Sequence, residues 1–292
     1  MRVNEARDGP GLDDEAVTFY AGSGTHPAVI AVWAAIIATG HLLPTIPMLG
    51  ISGTFTVSVA FVPLAGILFG PVGGAVCAAV GSFIAQLIAP HTAWLGLATF
   101  LIATINALAV GLITRGRWYV SAAIIGVGYA LWFATPIGAE AAVFPLVFYT
   151  AGIVATVGGA FVWRLLAIRS HEAPVSLPLT AIGVFFASYA GFVSAAGIAN
   201  FAGILLYEWP ATMWRGLAVV SPIERAIFSL AATLIGVPLI IGLPKIGVRV
   251  GLAALTALRP GAPRRSRHAR RPRRTWHAHE RDAREAPTRD RS

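Results

Sequence analysis

Two stretches of this chain, AVIAVWAAIIATGHLL (28–43) and AIFSLAATLIGVPLIIGL (226–243), run on without a single charged side chain. Runs of this kind exceed what a helix in a water-soluble core needs and approach the roughly 20 residues that cross a bilayer. Only 12% of the 292 residues are charged and 56% are hydrophobic, about half the charged share of an ordinary soluble domain. An all-α integral membrane protein is the fold class these runs imply, with one apolar domain spanning 27–258.

Breaks at Pro, Gly and charged residues divide that domain into eight expected transmembrane helices: Pro27–Leu43, Phe55–Phe69, Val72–Ala89, Trp94–Ile113, Tyr119–Ala134, Ala141–Trp163, Leu177–Leu206 and Pro222–Leu243. The second and third are parted only by Gly70-Pro71, which demands a tight reversal.

The net charge of +9 suggests nucleic acid until it is located. From Arg259 to Ser292 there are twelve arginines against four acids, so this tail alone supplies +8. With too few apolar residues to fold, the tail 259–292 reads as disordered and drawn to anionic inner-leaflet lipids. Nucleic-acid binding is its runner-up, and residues 1–26 form a polar N-terminal tail that does not read as a secretory leader. With the N-terminus in the cytoplasm, the inner loops hold Arg115, Arg117, Arg164, Arg169, Lys245 and Arg249, and the outer side only Arg215 and Arg225. That bias places both termini in the cytoplasm. Trp94, Trp132, Trp209 and Trp214 then fall at outer ends, and Trp118, Tyr119 and Trp163 at inner ends, as an aromatic belt.

Several chemistries have no footing. Lys245, in GLPKIG, is the only lysine, so no phosphate-binding P-loop can be built. Cys77 is the only cysteine, no HExxH occurs, and no paired aspartates lie in the helices. Neither an enzyme nor a cofactor or metal is expected.

The stretch SGTFTVSVAFVPLAGILFGPVGGAVCAAVGSFIAQLIAP, Ser52–Pro90, resembles the second and third helices of the substrate-binding S components of energy-coupling-factor (ECF) transporters. LAGILFGPVGGA, Leu64–Ala75, is its most specific part. An alanine-rich first helix and a Pro-containing outer loop (LLPTIPMLG) precede it in the family's order, and SPIERAIFSLAATLIGVPLIIGLPKIG is similar to the last helix. Gly74, Ala78 and Ser82 add a small-residue stripe suited to close helix contact. The resemblance implies a six-helix core, here with two further helices, and ATP-driven import through a transmembrane coupling subunit and two ATPases. It also implies that Ala31 and Ala35, a small-xxx-small pair, dock the coupling subunit; Ala34 and Ala38 offer an overlapping register.

Polar groups inside a bilayer are costly and therefore default to functional candidates. The substrate-binding candidates are Asn106, Tyr129, Trp132, Glu140, Asn200 and Arg215. Tyr129, Trp132 and Phe133 share one helix face on which a planar ring could stack, although belt or packing roles explain them too. Asn106 and Asn200 serve equally well as hydrogen bonds between helices. Glu208 is a further outer-loop candidate. His41 is a ligand or proton site or a structural histidine, and Ser221-Pro222-Ile223-Glu224 has the spacing of a helix-capping box, so Glu224 reads as a cap.

The leading expectation is an S component in a prokaryotic plasma membrane that captures a small, vitamin-like nutrient from outside. A self-sufficient secondary transporter and a non-transporting membrane enzyme or scaffold are the alternatives.

Overall fold

The structure is a computed structural model that describes residues 26–47, 54–169 and 176–243. The tails at 1–25 and 259–292, and with them Lys245 and Arg249, lie outside the described residues.

Helix α1, Pro27–Gly40, starts where a proline occupies its first turn and the His26 ring accepts the Ala28 amide at 3.2 Å. It buries Trp33, Ala34, Ile37 and Ala38 on one face and leaves Ala31 and Ala35 exposed on the other. A short antiparallel ribbon follows, β1 (Pro44–Pro47) against β2 (Thr54–Thr56). Sequence reading has a Pro-containing outer loop there and starts the second helix at Phe55, which the structure instead places in β2, with the helix beginning at Ser58; β-branched Thr and Ile suit extended backbone, and only a few ladder bonds set the ribbon apart from a loop.

Helix α2, Ser58–Ile88, carries the expected second and third helices as one element broken at Gly70, whose φ of 77° and ψ of −175° lie outside helical space. That conformation is open to glycine at little cost, and Pro71 restarts the helix where its missing N–H is not needed. The two arms fold back on each other. A Cβ at Gly74 would stand 2.6 Å from the Gly66 Cα, whereas a straight helix would hold those residues about 12 Å apart.

Two 3-10 turns, Pro90–Thr92 and Gly96–Thr99, lead into α3 (Phe100–Thr114), followed by α4 (Trp118–Phe133), α5 (Val143–Arg169), α6 (Leu177–Tyr207) and α7 (Ala211–Gly242). The expected eighth helix thus begins at Ala211, eleven residues before Pro222. Ser221 and Glu224 are therefore mid-helix, and the capping-box reading is wrong for them. Pro222 is tolerated inside because neighbours in a membrane bundle can serve the carbonyl it frees.

Among the described residues there are seven helices. Five helical stretches are long and apolar enough to cross a bilayer: Ser58–Ile88, Gly96–Thr114, Val143–Arg169, Leu177–Tyr207 and Ala211–Gly242. Helices α1 and α4 are shorter, at 14 and 16 residues. The protein is an all-α integral membrane protein.

Helix α6 is the axis of the bundle, packed on α3, α4, α5 and α7. Small residues let it approach: a Cβ on Gly128 of α4 would lie 2.6 Å from the Gly197 Cα, a backbone-to-backbone crossing that only paired glycines permit. Valine, leucine and phenylalanine on the outside, such as Val80, Leu87, Phe161 and Leu234, are exposed. Apolar side chains thus coat the lipid-facing surface, while polar side chains gather inside.

Candidate binding cavity

The end of α1, the ribbon, the beginning of α2, the 3-10 turns, and α6 and α7 converge at one end of the bundle. They enclose a cavity of about 200 Å³. The helix reversals set its composition. Because α2 doubles back, both arms face it, the first with Ser58, Val59 and Val62 and the second with Ser82 and Gln86. Helix α3 contributes Asn106, α6 contributes Phe192 and Asn200, and α7 contributes Trp214, Ser221, Glu224, Arg225 and Phe228.

One wall is aromatic. Trp94 and Trp209 stack with centroids 6.5 Å apart and planes 18° apart, and Trp214 meets Trp209 at 5.3 Å. The Tyr207 hydroxyl donates to the Trp94 carbonyl, tying the turn after α2 to the end of α6. Flat, polarizable walls of this kind suit a planar ring.

Another part of the lining is polar and hydrogen-bonded. His41 Nδ1 lies 2.8 Å from the Ile37 carbonyl, which can only accept, so that nitrogen carries the proton. Nε2 is then an acceptor, and the Ser58 hydroxyl, 3.3 Å away, donates to it, while the Thr56 hydroxyl donates to Ser58 Oγ at 2.7 Å. Burial pulls the His41 pKa below the ordinary histidine value, against the opposing pull of the Ile37 carbonyl. The ring is therefore neutral at pH 7.

Seven buried side-chain polar atoms lack a hydrogen-bond partner among the described residues, and five of them belong to residues of this cavity: Thr54 Oγ1, Ser82 Oγ, Asn106 Oδ1, Trp214 Nε1 and Arg225 Nε. Buried polar groups are otherwise almost always paired, and in a bilayer an unpaired one is costlier still. A concentration of such groups around one space is what a binding site for a polar ligand presents.

The sequence candidates separate into two sets. Asn106, 3% exposed, and Asn200 line the cavity. Asn200 also donates from Nδ2 to the Tyr149 hydroxyl at 3.2 Å, so part of it does serve as a bond between helices. Tyr129, Trp132, Glu140 and Arg215 do not line it. Trp132 sits behind Trp214, and its indole N–H is already engaged with the Gly138 carbonyl at 3.2 Å. Tyr129 packs on Tyr149 and Phe133. Arg215 is exposed and donates from Nε and Nη2 to the Glu140 carbonyl at 3.1 and 3.0 Å, joining α7 to the turn before α5.

Sequence reasoning missed Glu224 and Arg225 as lining residues. The signal was present: an adjacent acid and base inside an otherwise apolar run, SPIERAIF, is costly unless it faces a cavity or partner. It was absorbed by the capping-box spacing for Glu224 and by outer-side topology for Arg225.

Residues 25–162 match the family model described as "ECF-type riboflavin transporter, S component". Comparison with curated proteins and with solved structures gave no match. The matched segment holds α1, both arms of α2, α3 and α4 and most of α5, and therefore the cavity wall that carries His41, Ser82 and Asn106. Together with the all-helical membrane fold, the match over residues 25–162, just under half of the chain, supports an S component of an ECF transporter, a family of membrane subunits that bind substrate.

Proposed function

We propose that the chain captures a small, ring-containing, vitamin-like molecule in this cavity for ATP-driven import powered by a coupling subunit and two ATPases. The observation that carries the reading is the set of five unpartnered buried polar atoms around one cavity, beside a stacked tryptophan wall. Riboflavin, named in the description of the matching family, is the first substrate to test. The cavity end faces the outside of a prokaryotic plasma membrane, and the arginine-bearing ends of α3 and α5 face the cytoplasm, in keeping with the positive-inside bias.

Docking belongs to α1. Ala31 and Ala35 are exposed together with Val32, whereas Ala34 and Ala38 are buried. The Ala34 carbonyl lies 2.6 Å from where a Gly81 Cβ would stand, so that register is already used within the chain. The free register gives a coupling helix a close seat.

The test is purification from native membrane. Recovery with two ATPases and a coupling subunit, with a small molecule retained in native mass spectrometry, is the result expected. Substrate uptake by the isolated chain in liposomes, without those partners, would instead make it a secondary transporter.

A further inference from the structure

Glu224 and Arg225 stand side by side on α7 and both line the cavity. Among the described residues they are the only formally charged side chains that do so. The guanidinium lies over the Phe55 ring at 5.0 Å and the Phe228 ring at 5.6 Å. The two ring centroids are themselves only 4.8 Å apart, so both rings lie on one side of the guanidinium and leave its donors uncommitted. No hydrogen bond or salt bridge engages the side chain of either residue among the described residues, and Arg225 Nε is buried without a partner.

Two opposite charges that line one space without bonding each other differ from a structural ion pair, which would use its Coulomb energy internally. Here the guanidinium offers donors to the space and the carboxylate offers an acceptor. The formal charge of the lining sums to zero, His41 being neutral. A ligand bringing a net charge into such a space would leave that charge uncompensated in a low-dielectric setting, at heavy cost. A ligand with an acceptor beside a donor satisfies both side chains and adds no charge.

Resting on the binding reading above, we propose that Glu224 and Arg225 form a charge-balanced selectivity pair. The pair admits a ring-containing ligand of zero net charge that presents an acceptor to the guanidinium and a donor to the carboxylate, and it turns away anionic derivatives of the same ring. The ring lies on the Trp94, Trp209 and Trp214 side of the cavity.

Riboflavin and riboflavin 5′-phosphate share one ring system and differ in charge, and titration of each into the full chain in lipid nanodiscs, read by flavin fluorescence, tests the pair. The phosphate should bind more weakly by about tenfold or more, the scale of one unfavourable charged contact. Glu224→Gln removes the negative member and should shrink that ratio, whereas Arg225→Gln should widen it. Arg225→Lys keeps the charge and should retain the native order, which separates loss of charge from loss of fold. Equal or tighter binding of the phosphate overturns the proposal, as does a ratio moving the same way in Glu224→Gln and Arg225→Gln. Riboflavin binding without charge discrimination sinks the pair and leaves the import reading intact. No binding of either flavin overturns the pair as well, and recovery of the chain with its coupling partners then decides the import reading separately.

Discussion

Trp132 stands edge-on to Trp214, ring centroids 4.9 Å apart and planes at 89°, with only Trp214 facing the cavity. The two tryptophans therefore divide the labour that sequence reading gave to Trp132 alone. Trp132→Ala removes a ring that is 1% exposed and should cost about 3–5 kcal/mol of stability. Trp214→Phe keeps a flat wall but deletes the unpartnered indole N–H, so it should weaken ligand binding with a smaller change in melting. Thermal denaturation and ligand titration on the two variants check this, and a Trp214→Phe variant with undiminished affinity would take the indole out of the site.

Asn106 and Arg215 make a second contrast. Asn106→Ala deletes an unpartnered amide oxygen on the cavity and should reduce affinity about five- to 150-fold, the equivalent of about 1–3 kcal/mol. Arg215→Ala breaks two surface hydrogen bonds to the Glu140 carbonyl, and its effect should fall on stability instead, at less than about 1 kcal/mol. Calorimetric titration with riboflavin, or with whatever ligand the native protein retains, separates the two. A larger affinity loss at Arg215 would move the site toward the turn before α5.

Docking through α1 is testable by register. Ala31→Trp and Ala35→Trp place a bulky ring on the exposed face and should lower recovery of the complex with the coupling subunit while ligand binding persists. Ala34→Trp falls on the buried face against Gly81 and should impair folding itself. Gel filtration of the isolated chain beside affinity recovery of the complex distinguishes the outcomes, and full complex assembly by both exposed-face variants would exclude this docking surface.

The legible part of the fold was what periodicity and punctuation encode. Gly70-Pro71 announced a reversal because no other residue pair ends one helix and starts the next so economically, and the reversal is there. The register of Ala31 and Ala35 could not be chosen over Ala34 and Ala38, because four alanines on one apolar helix look alike until a neighbour occupies one face. Asn106 and Asn200 stood out as polar groups in apolar helices, and both line the cavity. Trp132 and Arg215 stood out for the same reason, but each is satisfied by a carbonyl close by in space, which no spacing rule reveals. Glu224 was misassigned because a capping motif and a mid-helix Pro share one local pattern.

The His41 chain yields a pH dependence with a definite sign. Its folded pKa is depressed below the unfolded value by burial, so the neutral ring contributes stability above about pH 6.5. That contribution is lost as pH falls through the lowered folded value, because protonated Nε2 can no longer accept from Ser58. The melting temperature in detergent should therefore drop between pH 7 and pH 5, and His41→Gln should flatten that drop. An unchanged slope in the variant would assign the acid sensitivity to another group.

The break at Gly70 also bears on how the chain enters the membrane in the first place. The first arm, Ser58–Phe69, is 12 residues and reaches only about 18 Å, well short of a hydrocarbon core of about 30 Å. It is too short to span that core unaided, and the second arm packs back against it as a hairpin. In this segment of 31 residues, a glycine that can turn with positive φ, followed by Pro71, distinguishes a there-and-back excursion from one crossing. Every segment that follows inherits its sidedness from that choice. A chain that ran straight through Gly70 would carry Arg115 and Arg117 to the opposite face of the bilayer from the one they reach with the reversal, so the parity of the segments that follow turns on one missing side chain.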